Sequence, residues 1–529
     1  MKSDFLKELK ERDKYVLTEN EAIALKSTGD SVLDAFGCLG SSQYTPADII
    51  LKTFYAAFYE NQELAMRLLF YVRDIRGGQG MRRVFRIIIR NLAITHPDLV
   101  VNNLNNFLFY GRGDDLFCLF DTPVEEDMML YVLQTLTEDL ISVDGGGSCS
   151  LLAKWMPSIN SSSKETRSLA LRFIKYWKMP NRQYRRLLSR LRSEINIVEQ
   201  QMSAGAWDTI DFASLPSKAA MRYSDAFVNH CLENYTSYLS DVADGKAKIN
   251  AGSLFPVDIV HNVINSWGSK ETLKNRILYE VLWKSLPNYF GDTEETGICV
   301  VDTSGSMYGK PIEVALSLGL YCADKAKGPF QNHFITFSNR PALQEIIGEN
   351  IYDKMRNMYQ ADWGMNTNLE AVFDLILNTA IQSHMKQEDL PTKLYIISDM
   401  QFDRCVNVDI GAGSEDLLDY SSKPQTFIET MRKRYQDNGY EMPILVFWNV
   451  SSYEKGIYQL EGTDGQCCMV SGYSPTLFKS VIEGTDFVEE VDEESGETVV
   501  KQKIDPITVM ERTLLNERYD RVFTGAGTK

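Results

Sequence analysis

The hydrophobic pattern changes its period once along the chain, near residue 288. Upstream, apolar residues recur at three- and four-residue spacing, the mark of amphipathic helices. The clearest run is "TPADIILKTFYAAFYENQELAMRLLFYVRDI", where Thr45 and Pro46 supply a helix cap and a first-turn proline. The pattern recurs in "MRRVFRIIIRNLAITH", "VEEDMMLYVLQTLTEDLISV", "KETRSLALRFIKYWKM" and "NRQYRRLLSRLRSEINIVEQQMSAGAW". The charged opening "MKSDFLKELKERDKYVLTENEA" also reads as helix, and "DGGGSCS" (144–150) as a loop. Many short helices with short breaks predict stacked helical pairs, a HEAT-like solenoid or ring, without a clean repeat period.

Downstream, continuous apolar runs alternate with helical segments. "GICVVD", "NHFITFS", "KLYIISD", "MPILVFWNV" and "QCCMVSG" read as strands. "KPIEVALSLGLYCADKA", "NLEAVFDLILNTAIQSH", "QTFIETMRKRYQDNG" and "SPTLFKSVIEG" read as the helices that accompany them. Alternation of this kind predicts a parallel sheet with helices on both faces. Ligands in such sheets sit at the carboxyl ends of the strands. Asp302 and Asp399 each follow an apolar strand directly and are expected at one sheet edge. "FVEEVDEESGETVVKQK" predicts an acidic β-hairpin near 487–503 extending from the sheet, and "DPITVMERTLLNERYDRV" a closing helix. The expected organisation is multidomain: an all-α helical repeat over 1–288, then an α/β, Rossmann-like domain over 289–529.

Composition narrows the functional classes. With 44% apolar and 24% charged residues among 529, a large core is available. The net charge of −17 excludes a surface that is basic everywhere, so nucleic-acid contact requires a local patch. No apolar run is long enough to span a bilayer, and the N-terminus lacks an apolar signal core. Nine cysteines form no C-x-x-C pair, and the five histidines have no ligand spacing. These features predict a reduced, cytoplasmic chain without a disulfide framework or a zinc site.

The stretch "GICVVDTSGSMYGK" ends a strand by presenting Asp302, Ser304 and Ser306 together. Aspartate and serine oxygens suit a hard cation, and Gly305 permits close backbone approach. Few carboxylates and many hydroxyls favour magnesium, or manganese, over calcium. The alternative is that these residues merely cap turns.

D-x-S-x-S resembles the metal-ion-dependent adhesion site of von Willebrand A domains. "DWGMNTNLEAVFDLI" is similar to that family's second loop, with Thr367 followed by Ala371. Met365 and Asn366 stand where two glycines are common, and Asn366 or Asn368 are further candidates. "LYIISDMQFD" is similar to the fourth strand and its acid, Asp399, with Asp403 as an outer candidate. The resemblance implies a Mg2+ or Mn2+ site on Asp302, Ser304, Ser306, Thr367 and Asp399, with a coordination position open to a partner's carboxylate. No nucleophile–base arrangement accompanies it, so catalysis is not implied; metal-assisted hydrolysis would need a second metal or a positioned base.

Two helical stretches are locally basic. "RDIRGGQGMRRVFRIIIR" (73–90) has six arginines and one acid; "KETRSLALRFIKYWKMPNRQYRRLLSRLR" (164–192) has ten basic residues and one acid, interleaved with Tyr176, Trp177 and Tyr184. Such concentrations suit phosphates, and aromatic rings suit unpaired bases. The alternative is solvated helix faces whose arginines bridge to acidic neighbours. Charge alone nominates Arg172, Lys175, Arg182, Arg185, Arg186, Arg190 and Arg192. Trp155 and Trp207 read as core anchors rather than stacking platforms, and "GRGD" (111–114) as a turn between helices.

A helical repeat followed by a von Willebrand A domain resembles the Ro (TROVE) ribonucleoproteins. "YVRDIRGGQGMRRVFR", "YGRGDDL", "LLAKWMPS", "DFASLPSKAAMRY", "VVDTSGSM", "WGMNTNLEAVFDLIL" and "IISDMQFD" are more closely similar to an uncharacterised domain-of-unknown-function family of the same plan. The Ro resemblance implies a non-catalytic protein that binds single-stranded or misfolded small RNA. The competing expectation is a protein-interaction scaffold that captures a partner carboxylate at the metal, without RNA.

Overall fold

The computed structural model describes residues 15–17, 23–195, 197–267, 273–291, 296–337, 340–361, 368–402, 427–452, 466–491 and 498–525. The chain forms two compact units, and each is assembled from two segments far apart in sequence. One comprises 1–64 and 254–515; the other comprises 65–253 and 516–529. The sequence reading divides the chain once, near 288. The compact units fall elsewhere because contacts distant in sequence, invisible to periodicity, recruit segments from either side.

The first unit opens with a short antiparallel ribbon, β1 (Tyr15–Leu17) on β2 (Ile23–Leu25), where the charged N-terminus reads as helix. Its centre is a six-stranded sheet: β3 (Gly297–Asp302), β4 (His333–Phe337), β5 (Leu343–Glu345), β6 (Lys393–Ser398), β7 (Ile444–Asn449) and β8 (Cys467–Ser471). The spatial order is β5-β4-β3-β6-β7-β8. All neighbours are parallel except β5, which runs antiparallel to β4 at the edge. Every residue of β3, β6, β7 and β8 is buried, which is why these strands read as unbroken apolar runs. The acidic hairpin forms as expected, β9 (Thr485–Val491) against β10 (Thr498–Ile504), but as a separate two-stranded sheet.

Helices on this sheet come from both sides of residue 288. The Lys310–Lys325 helix lies on β3 so closely that a Cβ at Gly319 would stand 2.5 Å from a Val301 methyl. The Pro256–Asn265 helix packs against it, and Trp283 Nε1 of the Leu273–Lys284 helix donates to Asp324 at 3.0 Å. The Ser31–Leu39 helix packs on β8, and the turn after it closes the carboxyl ends of β7 and β8. There Gly40 N donates to Ser471 Oγ at 3.1 Å, Ser471 Oγ donates to Phe36 O at 2.6 Å, and Ser452 Oγ donates to Cys38 O at 3.1 Å. A Cβ at residue 40 would collide with the Ser471 carbonyl.

The second unit is helical between 65 and 253 and carries the chain's last residues as a docked segment. Asp74, fully buried, accepts from Arg518 Nη2 at 2.8 Å and from Tyr519 OH at 3.2 Å. Asn103 and Asn106 hold the backbone of Phe523 and Arg521. The closing helix ends at Leu514, and residues 516–525 serve as this strap. Trp155 and Trp207 are half-buried rather than core residues. Among the described residues no helix is long and apolar enough to cross a membrane.

Candidate functional site

Strand order reverses between β3 and β6: the chain leaves β3 to one side and returns as β6 on the other. Parallel sheets open a crevice at the carboxyl ends of such a pair. β7 and β8 are closed at that edge by residues 37–45, while β3 and β6 deliver Asp302 and Asp399 there.

Asp302 is 0% exposed, and both its oxygens are engaged. Oδ1 accepts from Ser304 N at 2.8 Å and Oδ2 from Ser398 Oγ at 2.6 Å. Ser304 and Ser306 bring their hydroxyl oxygens within 3.2 Å of each other on the Gly305–Met307 turn. Asp399 is 3% exposed, and its Oδ1 accepts from Gln401 N at 3.2 Å. Burial, and next the like charge of Asp399, push the Asp302 carboxyl up to about 7, against the pull of the Ser398 and Ser304 donors. Met400, buried beside Asp399, takes a φ of 68°, a left-handed conformation that an apolar side chain rarely adopts and that tends to cluster at functional sites.

The expected residues Asp302, Ser304, Ser306 and Asp399 therefore meet at one sheet edge. Thr367, Asn366 and Asp403 lie outside the described residues. Asn368 is engaged elsewhere: its side chain caps the Leu369–Ser383 helix by accepting from Ala371 N at 3.0 Å. Ser398, which binds Asp302 directly, is absent from the sequence reading; its only signal there is a hydroxyl ending the apolar run "LYIIS". Among the described residues no three His, Cys, Asp or Glu side chains gather as metal ligands. The set is two buried carboxylates with hydroxyls, an all-oxygen chemistry that fits a hard divalent cation able to relieve their mutual repulsion.

The basic candidates belong to the helical unit and have divided fates. Arg172 pairs with Asp121 at 2.9 Å and Glu125 at 2.6 Å and lies over the Phe120 ring. Arg190 pairs with Asp144 and Glu194. Arg192 donates to Ala153 O (2.9 Å), Met156 O (2.7 Å) and Ser158 Oγ (2.9 Å). Those three are already engaged. Lys175, Arg182, Arg185 and Arg186 are exposed and pair with no acid among the described residues. The interleaved aromatics largely serve the core: Tyr184 is fully buried with its hydroxyl on Pro157 O, and Trp177 Nε1 donates to Met129 O.

Comparison with known proteins places these features in a family. Residues 296–514 match the model of a domain of unknown function, DUF7788, and residues 18–110 and 162–286 match another, DUF2828. The chain is 30% identical over 509 residues to the uncharacterized protein L728 of Acanthamoeba polyphaga mimivirus, an alignment covering 89% of this chain and 85% of that one. Among solved structures, the Ro (RSR) protein of Deinococcus radiodurans aligns over 95% of this chain and 96% of its own, at 12% identity and a TM-score of 0.31. A likeness of that size identifies neither fold nor function. At this identity and coverage the chain belongs to the same family as mimivirus protein L728, and it carries the two domains of unknown function, DUF2828 and DUF7788, in one polypeptide.

Proposed function

We propose that the protein is a cytoplasmic, non-catalytic, Ro-like RNA-binding protein whose α/β unit is of the von Willebrand A type with a divalent-metal docking site. One observation carries the RNA reading: Lys175, Arg182, Arg185 and Arg186 stand exposed without acidic partners among the described residues, on a chain of net charge −17. Unpaired cations concentrated on one short segment of an acidic protein suit a phosphate backbone, whose condensed counterions they displace. The motif resemblance to Ro proteins points the same way and favours single-stranded or misfolded RNA.

The test is filter binding of single-stranded RNA across a salt series, with wild type against Arg185→Glu/Arg186→Glu. Each lost phosphate contact on a single strand should flatten the slope of log affinity against log salt by about 0.7. The double variant should therefore bind more weakly with a slope shallower by roughly 1.4. Equal affinity and equal slope would remove this face from the reading.

The sheet-edge crevice favours a second reading, a metal-dependent scaffold that captures a partner's carboxylate. Asp302, Ser304, Ser306 and Asp399, with Thr367 by resemblance, would hold Mg2+ or Mn2+, and the ion would supply an open position for that carboxylate. The chain's own contribution is to hold two carboxylates buried and oriented by Ser398 Oγ and by the Ser304 and Gln401 amides. Millimolar magnesium should raise the unfolding temperature of wild type but not of Asp302→Asn, which keeps the side chain's shape and removes its charge. An equal rise in both would take the cation away from this crevice.

A further inference from the structure

The helical unit holds a cleft of about 460 Å3 that neither functional reading uses. Its size falls within the ~300–1,000 Å3 of small-ligand sites. Its lining includes Trp155, Lys154, Ser158, Ser161, Thr166 and Arg192. The indole already carries two cations, the Arg112 guanidinium 5.1 Å and the Lys154 ammonium 5.9 Å from its centroid. Three acceptors, Ala153 O, Met156 O and Ser158 Oγ, fix the Arg192 guanidinium in place. Those bonds take one N–H on each guanidinium nitrogen, so Arg192 offers a ligand its flat face beside the N–H groups that remain. Ser158 Oγ accepts from Arg192, and Ser161 Oγ accepts from Ser163 N, so each hydroxyl retains a proton to donate.

A fixed cationic plane, an indole and two donating hydroxyls suit a flat heteroaromatic ring with acceptors on its edge. Unpaired nucleobases are recognised in this way, by stacking on aromatic or guanidinium planes and by hydrogen bonds to their edges. Position supports the match. Arg185 and Arg192 lie seven residues apart on the Asn181–Ile195 helix, which is two turns and ~10 Å along one stripe. Arg185, with no acidic partner among the described residues, therefore leads along the helix toward the cleft, and Arg182 and Arg186 flank it.

We propose that this cleft receives one unpaired base of the RNA strand whose phosphates lie along Lys175, Arg182, Arg185 and Arg186. The inference rests on the RNA-binding reading. It adds that the protein distinguishes a strand with accessible bases from a bare phosphate backbone.

The experiment measures fluorescence anisotropy of the full chain with a short labelled oligoadenylate and with an abasic oligomer of equal length. Wild type should bind the abasic oligomer about tenfold more weakly, the scale of one stacked base. Trp155→Ala should reduce oligoadenylate binding to the abasic level and leave abasic binding unchanged. Thr166→Phe, which fills the cleft from a half-exposed position, should do the same and decides the matter if Trp155→Ala fails to fold. Arg185→Glu/Arg186→Glu should weaken both oligomers. Oligoadenylate bound by Thr166→Phe as tightly as by wild type overturns the cleft, while the RNA reading survives if the arginine variant still loses both. Wild type that binds neither oligomer overturns both.

Discussion

The two basic stretches, 73–90 and 164–192, look alike as sequence, and the fold supplies acceptors to them unequally. In the first, Arg73, Arg76, Arg82, Arg86 and Arg90 all bind acids or carbonyls of the fold. Arg73 is 2% exposed and lies 2.6 Å from Asp115, itself 0% exposed; Arg86 Nε reaches the other Asp115 oxygen at 2.7 Å. Arg82 pairs with Asp114, Arg90 donates to Cys118 O and Phe120 O, and Arg76 donates to Phe109 O. In the second, Arg172, Arg190 and Arg192 are consumed in the same way, but Lys175, Arg182, Arg185 and Arg186 are left over. Local density of positive charge thus says little about binding. What separates a structural arginine from one available to a ligand is whether the fold brings it an acceptor.

The sharpest way to break this comparison is to remove the acceptor. Asp115→Ala leaves the Arg73 guanidinium buried without its carboxylate, and burial, with the nearby Arg112 and Arg86 charges, already holds that group below its usual pKa against the pull of Asp115. Breaking a buried pair from one side typically costs about 3–5 kcal/mol, because an uncompensated charge remains inside. The midpoint of urea unfolding should fall accordingly. A change under about 1 kcal/mol would mean that Arg73 finds water or another acceptor, and that the 73–90 arginines are less bound into the fold than their geometry implies.

That contrast also marks how far sequence could reach. β3, β6 and β7 were legible because strands buried on both faces are unbroken apolar runs, "GICVVD", "KLYIIS" and "ILVFWN". β5 was not: its three residues, Leu343–Glu345, are partly exposed and gain strand character only by pairing with β4. Residues 31–45 read as the start of a helical repeat, yet the serines and glycine after the first helix close one edge of the sheet. Asp302 and Asp399 were legible as acids ending apolar strands. Ser398 was not, since its bond to Asp302 depends on the register between β6 and β3, which no local pattern encodes. The same reason hid the fates of the arginines: Arg86 meets an acid 29 residues on, and Arg172 meets one 47 residues back.

The smallest expected effect sharpens the comparison from the other side. Arg185 and Arg186 are exposed and contribute no ion pair among the described residues, so their charge reversal breaks no ion pair there. Surface substitutions of that kind usually stay within about 0.5 kcal/mol. Arg185→Glu/Arg186→Glu should therefore unfold in urea at the wild-type midpoint while its RNA affinity and salt slope fall, the reverse of what an inward-turned arginine would give. A lowered midpoint together with lost binding would place these arginines with the structural group, because damage to the helix would then account for both. An unmoved midpoint with lost binding leaves contact with the strand as the role of this face, since among the described residues no acid engages its charge.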